Sequence, residues 1–110
     1  MAVVEIEVRG AIAIVTLNRP ERLNAMNPEM AVRLIDVFEQ VRARGDVRVA
    51  ILTGAGDRAF CAGGDLAETI PLMNGSREMD DEWERRWQAV PGTGGPFKTD
   101  IGKQLICAIN

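Results

Sequence analysis

The chain of 110 residues contains no histidine and only two cysteines, Cys61 and Cys107, and each scarcity removes a class of chemistry. Without an imidazole there is no histidine base within the chain to activate a thiol, so Cys61 is read as a small packing residue and not as a nucleophile. The two cysteines form no C-x-x-C pair and face no histidine cluster, which leaves a structural zinc site without ligands. No apolar run approaches the roughly 18 residues that a membrane span needs. The N-terminus, Met1 to Arg9, interleaves charges with its apolar residues where a signal peptide would have a basic region and an apolar core. The expectation is a cytoplasmic protein that is neither exported nor membrane-spanning. Lys and Arg number 13 against 16 Asp and Glu, a formal net charge of -3 with no dense basic patch, and nothing points to a nucleic-acid partner.

What is present is a patterned chain of one-domain size. Val4, Ile6 and Val8 alternate with Glu5, Glu7 and Arg9, the period-2 pattern of a strand with one covered and one wet face. Gly10-Ala11 then allows a turn into Ile12–Leu17, so residues 3–17 are expected to form a hairpin. Asn27 can cap a helix, Pro28 suits its first turn and Glu29 its positive end. Met30, Leu34, Val37, Phe38 and Val41 fall on one helical face, with Arg33, Asp36, Glu39, Gln40 and Arg42 mainly on the other. Gly45 is expected to end this helix before Val47–Thr53 returns as a strand.

Beyond residue 65 the pattern weakens. Ala67–Ile70 reads as a short helix ending at Pro71, and Gly75-Ser76 as a break. Met79, Trp83 and Trp87 are spaced to share a helical face, suited first to packing or a subunit contact and second to an acyl pocket. Pro91 to Pro96 reads as a connector, and Leu105–Ile109 as a buried strand with nothing after it to cover its end.

The segment with most chemical content is Ala59-Phe60-Cys61-Ala62-Gly63-Gly64-Asp65-Leu66. It follows a strand and a glycine turn; two adjacent glycines allow a ligand close to the backbone, and Asp65 can begin a helix whose free N–H groups point back towards that ligand. The neighbouring Gly54-Ala55-Gly56-Asp57-Arg58-Ala59 fits G-x-G-x-x-A formally. The turn-forming Asp57-Arg58 and the second glycine loop argue against a helix there, residues 71–77 lack the acidic residue a dinucleotide site needs, and no P-loop sequence occurs. A tight strand-to-helix connection without a ligand is the plain alternative for Gly63-Gly64-Asp65.

This segment, together with Asn18-Arg19-Pro20-Glu21-Arg22-Leu23-Asn24-Ala25-Met26 and Ile106-Cys107-Ala108-Ile109-Asn110, resembles the enoyl-CoA hydratase/isomerase, or crotonase, superfamily. The resemblance implies an α/β crotonase-like fold of repeated β-β-α units, truncated before its second oxyanion segment, with residues 1–110 the N-terminal portion of one acyl-CoA-binding domain. It implies that the Gly64 N–H is one oxyanion donor, and that Arg22, Leu23, Asn24, Ala25, Ala62, Asp65 and Leu66 lie on the CoA side. Asp65 is expected to act as a helix cap or on that side, not as an acid. Arg22 is a candidate phosphate ligand, although Arg19 and Arg22 read equally well as solvated loop charges. The second donor and the catalytic carboxylates are expected beyond Asn110, leaving the isolated chain inactive.

The implied activity is hydration of a 2-enoyl-CoA, with enoyl-CoA isomerisation, decarboxylation, thioester hydrolysis or non-catalytic acyl-CoA binding as alternatives. The implied partner is an acyl-CoA thioester, its CoA carried as part of the substrate and not as a separate cofactor. A homo-oligomer, trimer or dimer of trimers, is the expected assembly.

Overall fold

The computed structural model describes residues 2–75 and 101–110. Its four-stranded sheet has the order β1-β2-β3-β4, formed by β1 (Val4–Arg9), β2 (Ile12–Leu17), β3 (Val49–Gly54) and β4 (Gln104–Ala108). The β1–β2 pair is the antiparallel hairpin that the alternation predicts, in register from Val4 opposite Leu17 to Arg9 opposite Ile12. β3 joins β2 in parallel and β4 joins β3 in parallel, with Ile14, Ile51 and Ile106 aligned across three strands.

Helix α1 (Pro28–Ala43) connects β2 to β3 and covers one face of the sheet. The Asn27 side chain accepts from the Met30 N–H at 2.8 Å, satisfying one of the helix's free donors. Met30, Leu34, Val37, Phe38 and Val41 are buried against Val4, Ala13, Val15, Leu17, Ala50 and Leu52. The strand residues in that set point inward by period 2, and the helix residues by period 3.6. Ala31, Val32 and Ile35 are buried as well, so α1 is covered over a wider arc than its apolar stripe alone predicts.

Three expectations need adjustment. Gly45 follows the end of α1 as expected but is not left-handed there: the helix is capped by Arg44 in extended backbone, and the Lys103 ammonium donates to the carbonyls of Val41 and Arg44. A cation at the negative end of the helix dipole replaces the left-handed glycine turn. Pro71 does not end the second helix, α2 (Leu66–Met73), but lies within it; the missing proline N–H removes one intrahelical bond, and only two residues follow. The strand expected to be buried, Leu105–Ile109, is instead the exposed edge strand β4, with Leu105 40% and Ile106 52% exposed, followed by Ile109, 76% exposed, just past its end. Its register pairs it with β3, but among the described residues none of its side chains joins the core cluster formed by α1, β1, β2 and β3. The expectations for Met79, Trp83 and Trp87 and for the connector from Pro91 to Pro96 lie outside the described residues.

Because β2, β3 and β4 run parallel, their C-terminal ends lie on one edge of the sheet, where ligands of open α/β sheets are bound. The loops 18–27 and 55–65 leave from that edge. Asn110, just past β4, joins them by donating its side-chain amide to the Gly56 carbonyl at 2.7 Å.

Candidate functional site

The loop after β2 is a tight left-handed turn. A single 3-10 turn, Pro20–Arg22, passes into Leu23 at φ 54° and Asn24 at φ 56°, and the Leu23 and Asn24 N–H groups return to the carbonyls of Pro20 and Arg19. Two consecutive non-glycine residues with positive φ are unfavourable in isolation. The Asn24 side chain offsets that strain. Wholly buried, it accepts from the Arg19 N–H at 2.8 Å and donates to the carbonyls of Ala55 and Ala59, each at 3.0 Å. One amide thus joins the loop after β2 to the loop after β3. The junction depends on glycine at position 54, where a Cβ would stand 2.5 Å from the Phe60 carbonyl oxygen and 2.8 Å from Asn24 Nδ2. These contacts commit the Asn24 side-chain amide to the protein itself.

The 59–65 segment lies along residues 23–26 like a short parallel strand. Ala62 N–H donates to the Leu23 carbonyl at 3.1 Å, Met26 N–H to the Gly63 carbonyl at 2.7 Å, and Asp65 N–H to the Met26 carbonyl at 2.8 Å. Met26 and Gly64 therefore form a parallel bridge in which the residues flanking Gly64 make the bonds. By the alternation of an extended chain, the N–H of Gly64 turns away from Met26, and it has no hydrogen-bond partner among the described residues. Gly63 stands at φ +100°, a conformation that glycine tolerates without a steric penalty. A Cβ at position 63 or 64 would meet nothing within 4 Å. The result, among the described residues, is an open backbone donor at the edge of the sheet.

Asp65 caps α2. Its Oδ1 accepts from the Ala67 N–H at 3.0 Å and the Glu68 N–H at 3.4 Å, while Oδ2 takes the Arg19 guanidinium at 3.0 Å. The hydrogen bond from Arg19, helped by those two backbone donors, holds the Asp65 carboxyl below the usual aspartate range against the opposing effect of desolvation. A carboxylate so engaged is unsuited to proton transfer.

Arg19 itself is a correction to the reading of it as a solvated loop charge. Its side chain is 9% exposed and also donates to the Ala25 carbonyl at 2.5 Å and to Glu68 Oε2 at 3.4 Å. Asn27 Nδ2 donates to the same Glu68 oxygen at 3.0 Å. Nothing local in the sequence distinguishes Arg19 from Arg22, because the carboxylates that bury it lie 46 and 49 positions away.

The other candidates divide by exposure. Arg22 is exposed and makes no ion pair among the described residues. Leu23 lines a shallow groove with Pro20, Gly56, Asp57 and Arg58. Ala62 and Leu66 are exposed beside the glycines, and Ala25 is half-buried. The structure brings Leu23 to Ala62 by a direct hydrogen bond and Ala25 to Asp65 through Arg19. Cys61 is half-buried and packs against the core, whereas Cys107 is exposed. No described helix is long and apolar enough to cross a membrane.

Comparison with known proteins adds an independent line. The family described as enoyl-CoA hydratase/isomerase matches residues 7–94. The (E)-benzylidenesuccinyl-CoA hydratase of Thauera aromatica is 46% identical over 68 residues, covering 62% of this chain and 27% of that protein. A solved structure titled as an enoyl-CoA hydratase/carnithine racemase from Magnetospirillum magneticum superposes with a TM-score of 0.78 at 35% identity, over 99% of this chain and 39% of that one. An enoyl-CoA hydratase from Mycobacterium marinum superposes with a TM-score of 0.77 at 30% identity, over 100% of this chain and 38% of that one. The matched region spans about a quarter of the length of the curated relatives.

Proposed function

The chain belongs to the enoyl-CoA hydratase/isomerase family, and from that premise we propose that it supplies half of the carbonyl-binding site of an enzyme that adds water reversibly to a 2-enoyl-CoA. The observation that carries the reading is the Gly64 N–H, without a partner among the described residues and turned outward from a hydrogen-bonded bridge. A thioester carbonyl placed on that donor is polarised. The enolate formed when water adds at the β carbon carries more negative charge on the same oxygen and so binds the donor more strongly, which lowers the barrier. Similarity to a benzylidenesuccinyl-CoA hydratase favours hydration over isomerisation, decarboxylation or hydrolysis, which would draw on the same donor.

The proton transfers are not assigned to Asp65 or Glu68. Asp65 is held by Arg19 and two backbone N–H groups, and Glu68 by Arg19 and Asn27, so neither is free to act as a base. In this reading CoA is part of the substrate. The loop bearing Arg22, Leu23, Asn24 and Ala25, with Ala62, Asp65 and Leu66 across from it, forms the wall along which CoA lies. A homo-oligomeric assembly in the cytoplasm completes the proposal.

The test is Gly64→Pro in the full-length protein, which removes the N–H itself. The chemical step should slow by about 3 kcal/mol, roughly two orders of magnitude, in single-turnover measurements with a 2-enoyl-CoA. A folded variant with an unchanged single-turnover rate refutes the assignment of Gly64. Absence of turnover by the unsubstituted protein over a panel of 2-enoyl-CoA thioesters, with calorimetric binding retained, replaces the hydratase reading with acyl-CoA binding alone.

A further inference from the structure

We propose that Arg19 is a positioning residue for the Gly64 N–H, clamping the two strands of the Met26–Gly64 bridge together from one side. The inference rests on the reading of Gly64 as the carbonyl donor. The glycines carry no side chain to hold that donor in place, and among the described residues neither position has a neighbour within 4 Å of where a Cβ would lie. Its direction is set by what flanks it. On one strand Arg19 grips the Ala25 carbonyl, one residue before Met26; on the other it grips the Asp65 carboxylate, one residue after Gly64.

The two grips come from different nitrogens, Nη1 to Ala25 and Nη2 to Asp65, so the planar fork spans the bridge. A lysine ammonium carries the charge but lacks that span. Asp65 passes the restraint on: its N–H bonds to the Met26 carbonyl, its Oδ1 caps α2, and its Oδ2 is held by Arg19. Loss of the guanidinium leaves a buried carboxylate without its counter-ion directly beside the donor. The resulting shift falls on the placement of the N–H relative to the reacting carbonyl, to which the rate of a positioned reaction is sensitive.

The experiment compares Arg19→Met, Arg19→Lys and Asp65→Asn with the unsubstituted full-length protein by amide hydrogen exchange and by turnover of crotonyl-CoA, a short 2-enoyl thioester. Exchange of the Met26 and Asp65 amides is expected to rise at least tenfold in Arg19→Met and less in Arg19→Lys, with the β3 amides of Ala50 and Leu52 unchanged. The single-turnover rate is expected to fall at least tenfold and KM to stay within about twofold. Unchanged exchange and rate in a folded variant overturns the proposal. So does a raised KM with unchanged kcat, which makes Arg19 a ligand contact. If Arg19→Met does not fold, Asp65→Asn keeps the capping oxygen and reads the same link. No turnover by the unsubstituted protein sinks the hydratase reading instead, and amide exchange alone then decides the clamp.

Discussion

The two halves of this molecule are held together by different forces. In the body, β1 to β3 and α1 meet through Val4, Val15, Leu17, Met30, Leu34, Phe38 and Leu52, all essentially without solvent exposure, an apolar cluster among the described residues. At the sheet edge, loops 18–27 and 55–65 are held by Asn24, Arg19, Asp65 and Asn27, the only buried polar residues among those described. Apolar burial is non-directional and tolerates small adjustments, whereas a buried polar contact demands a partner at a set distance and angle. The body can therefore fix a fold, while the loops can fix the direction of a single N–H. The open donor belongs to the second kind of structure, surrounded by groups whose hydrogen bonds are already made.

Breaking the body should give the largest effect on stability. Phe38→Ala is expected to cost about 3–5 kcal/mol, read from the shift of the urea unfolding midpoint, while the turnover per folded molecule stays unchanged. Asn24→Ala reverses the pattern. It strands the buried Arg19 N–H and the part-buried carbonyls of Ala55 and Ala59 and should cost roughly 2–4 kcal/mol, with turnover per folded molecule falling as well. If both variants lose stability and keep full activity per folded molecule, the contrast between the halves fails.

Acid sharpens the comparison. The Arg19 hydrogen bond depresses the Asp65 pKa in the folded state, so the unfolded chain takes up the proton first, near the ordinary value of 3.8. The contribution is then whole at neutral pH and is lost as pH falls from about that value through the folded pKa. Asp46 is also depressed, chiefly by its hydrogen bond to Arg44, but that pair lies open to solvent. Urea midpoints at pH 7 and pH 3 should therefore differ less in Asp65→Asn than in the unsubstituted protein, and Asp46→Asn should change that difference little. The smallest effect is expected at the far end of the sheet. Gly10, in the β1–β2 turn, stands at φ +59° with no atom within 4 Å of a Cβ, so Gly10→Ala should cost roughly 1 kcal/mol of backbone strain and leave turnover untouched.

The body was legible in the sequence because its periodicities are local. The alternation of Val4, Ile6 and Val8 and the stripe from Met30 to Val41 each state their buried face within a few residues, and Asn27-Pro28 marks a helix start by its own chemistry. At the site, Gly63 and Gly64 were legible because adjacent glycines signal close backbone approach. Asp65 was legible as a cap because it precedes the first helical residue. The capping of α1 at its C-terminal end was not, since Lys103 reaches its last carbonyls from across the chain.

By itself, then, the sequence determined the order of the elements, the inward faces of β1 and α1, the adjacent glycines before α2 and a family resemblance. Only the tertiary structure decided that Arg19 and not Arg22 is buried, that Asn24 joins two loops, that β4 is an exposed edge, and that the Gly64 N–H has no partner among the described residues. The physical reason is range: an apolar period is written in consecutive residues, but a polar partnership spanning 46 positions, as between Arg19 and Asp65, exists only after the chain has closed on itself.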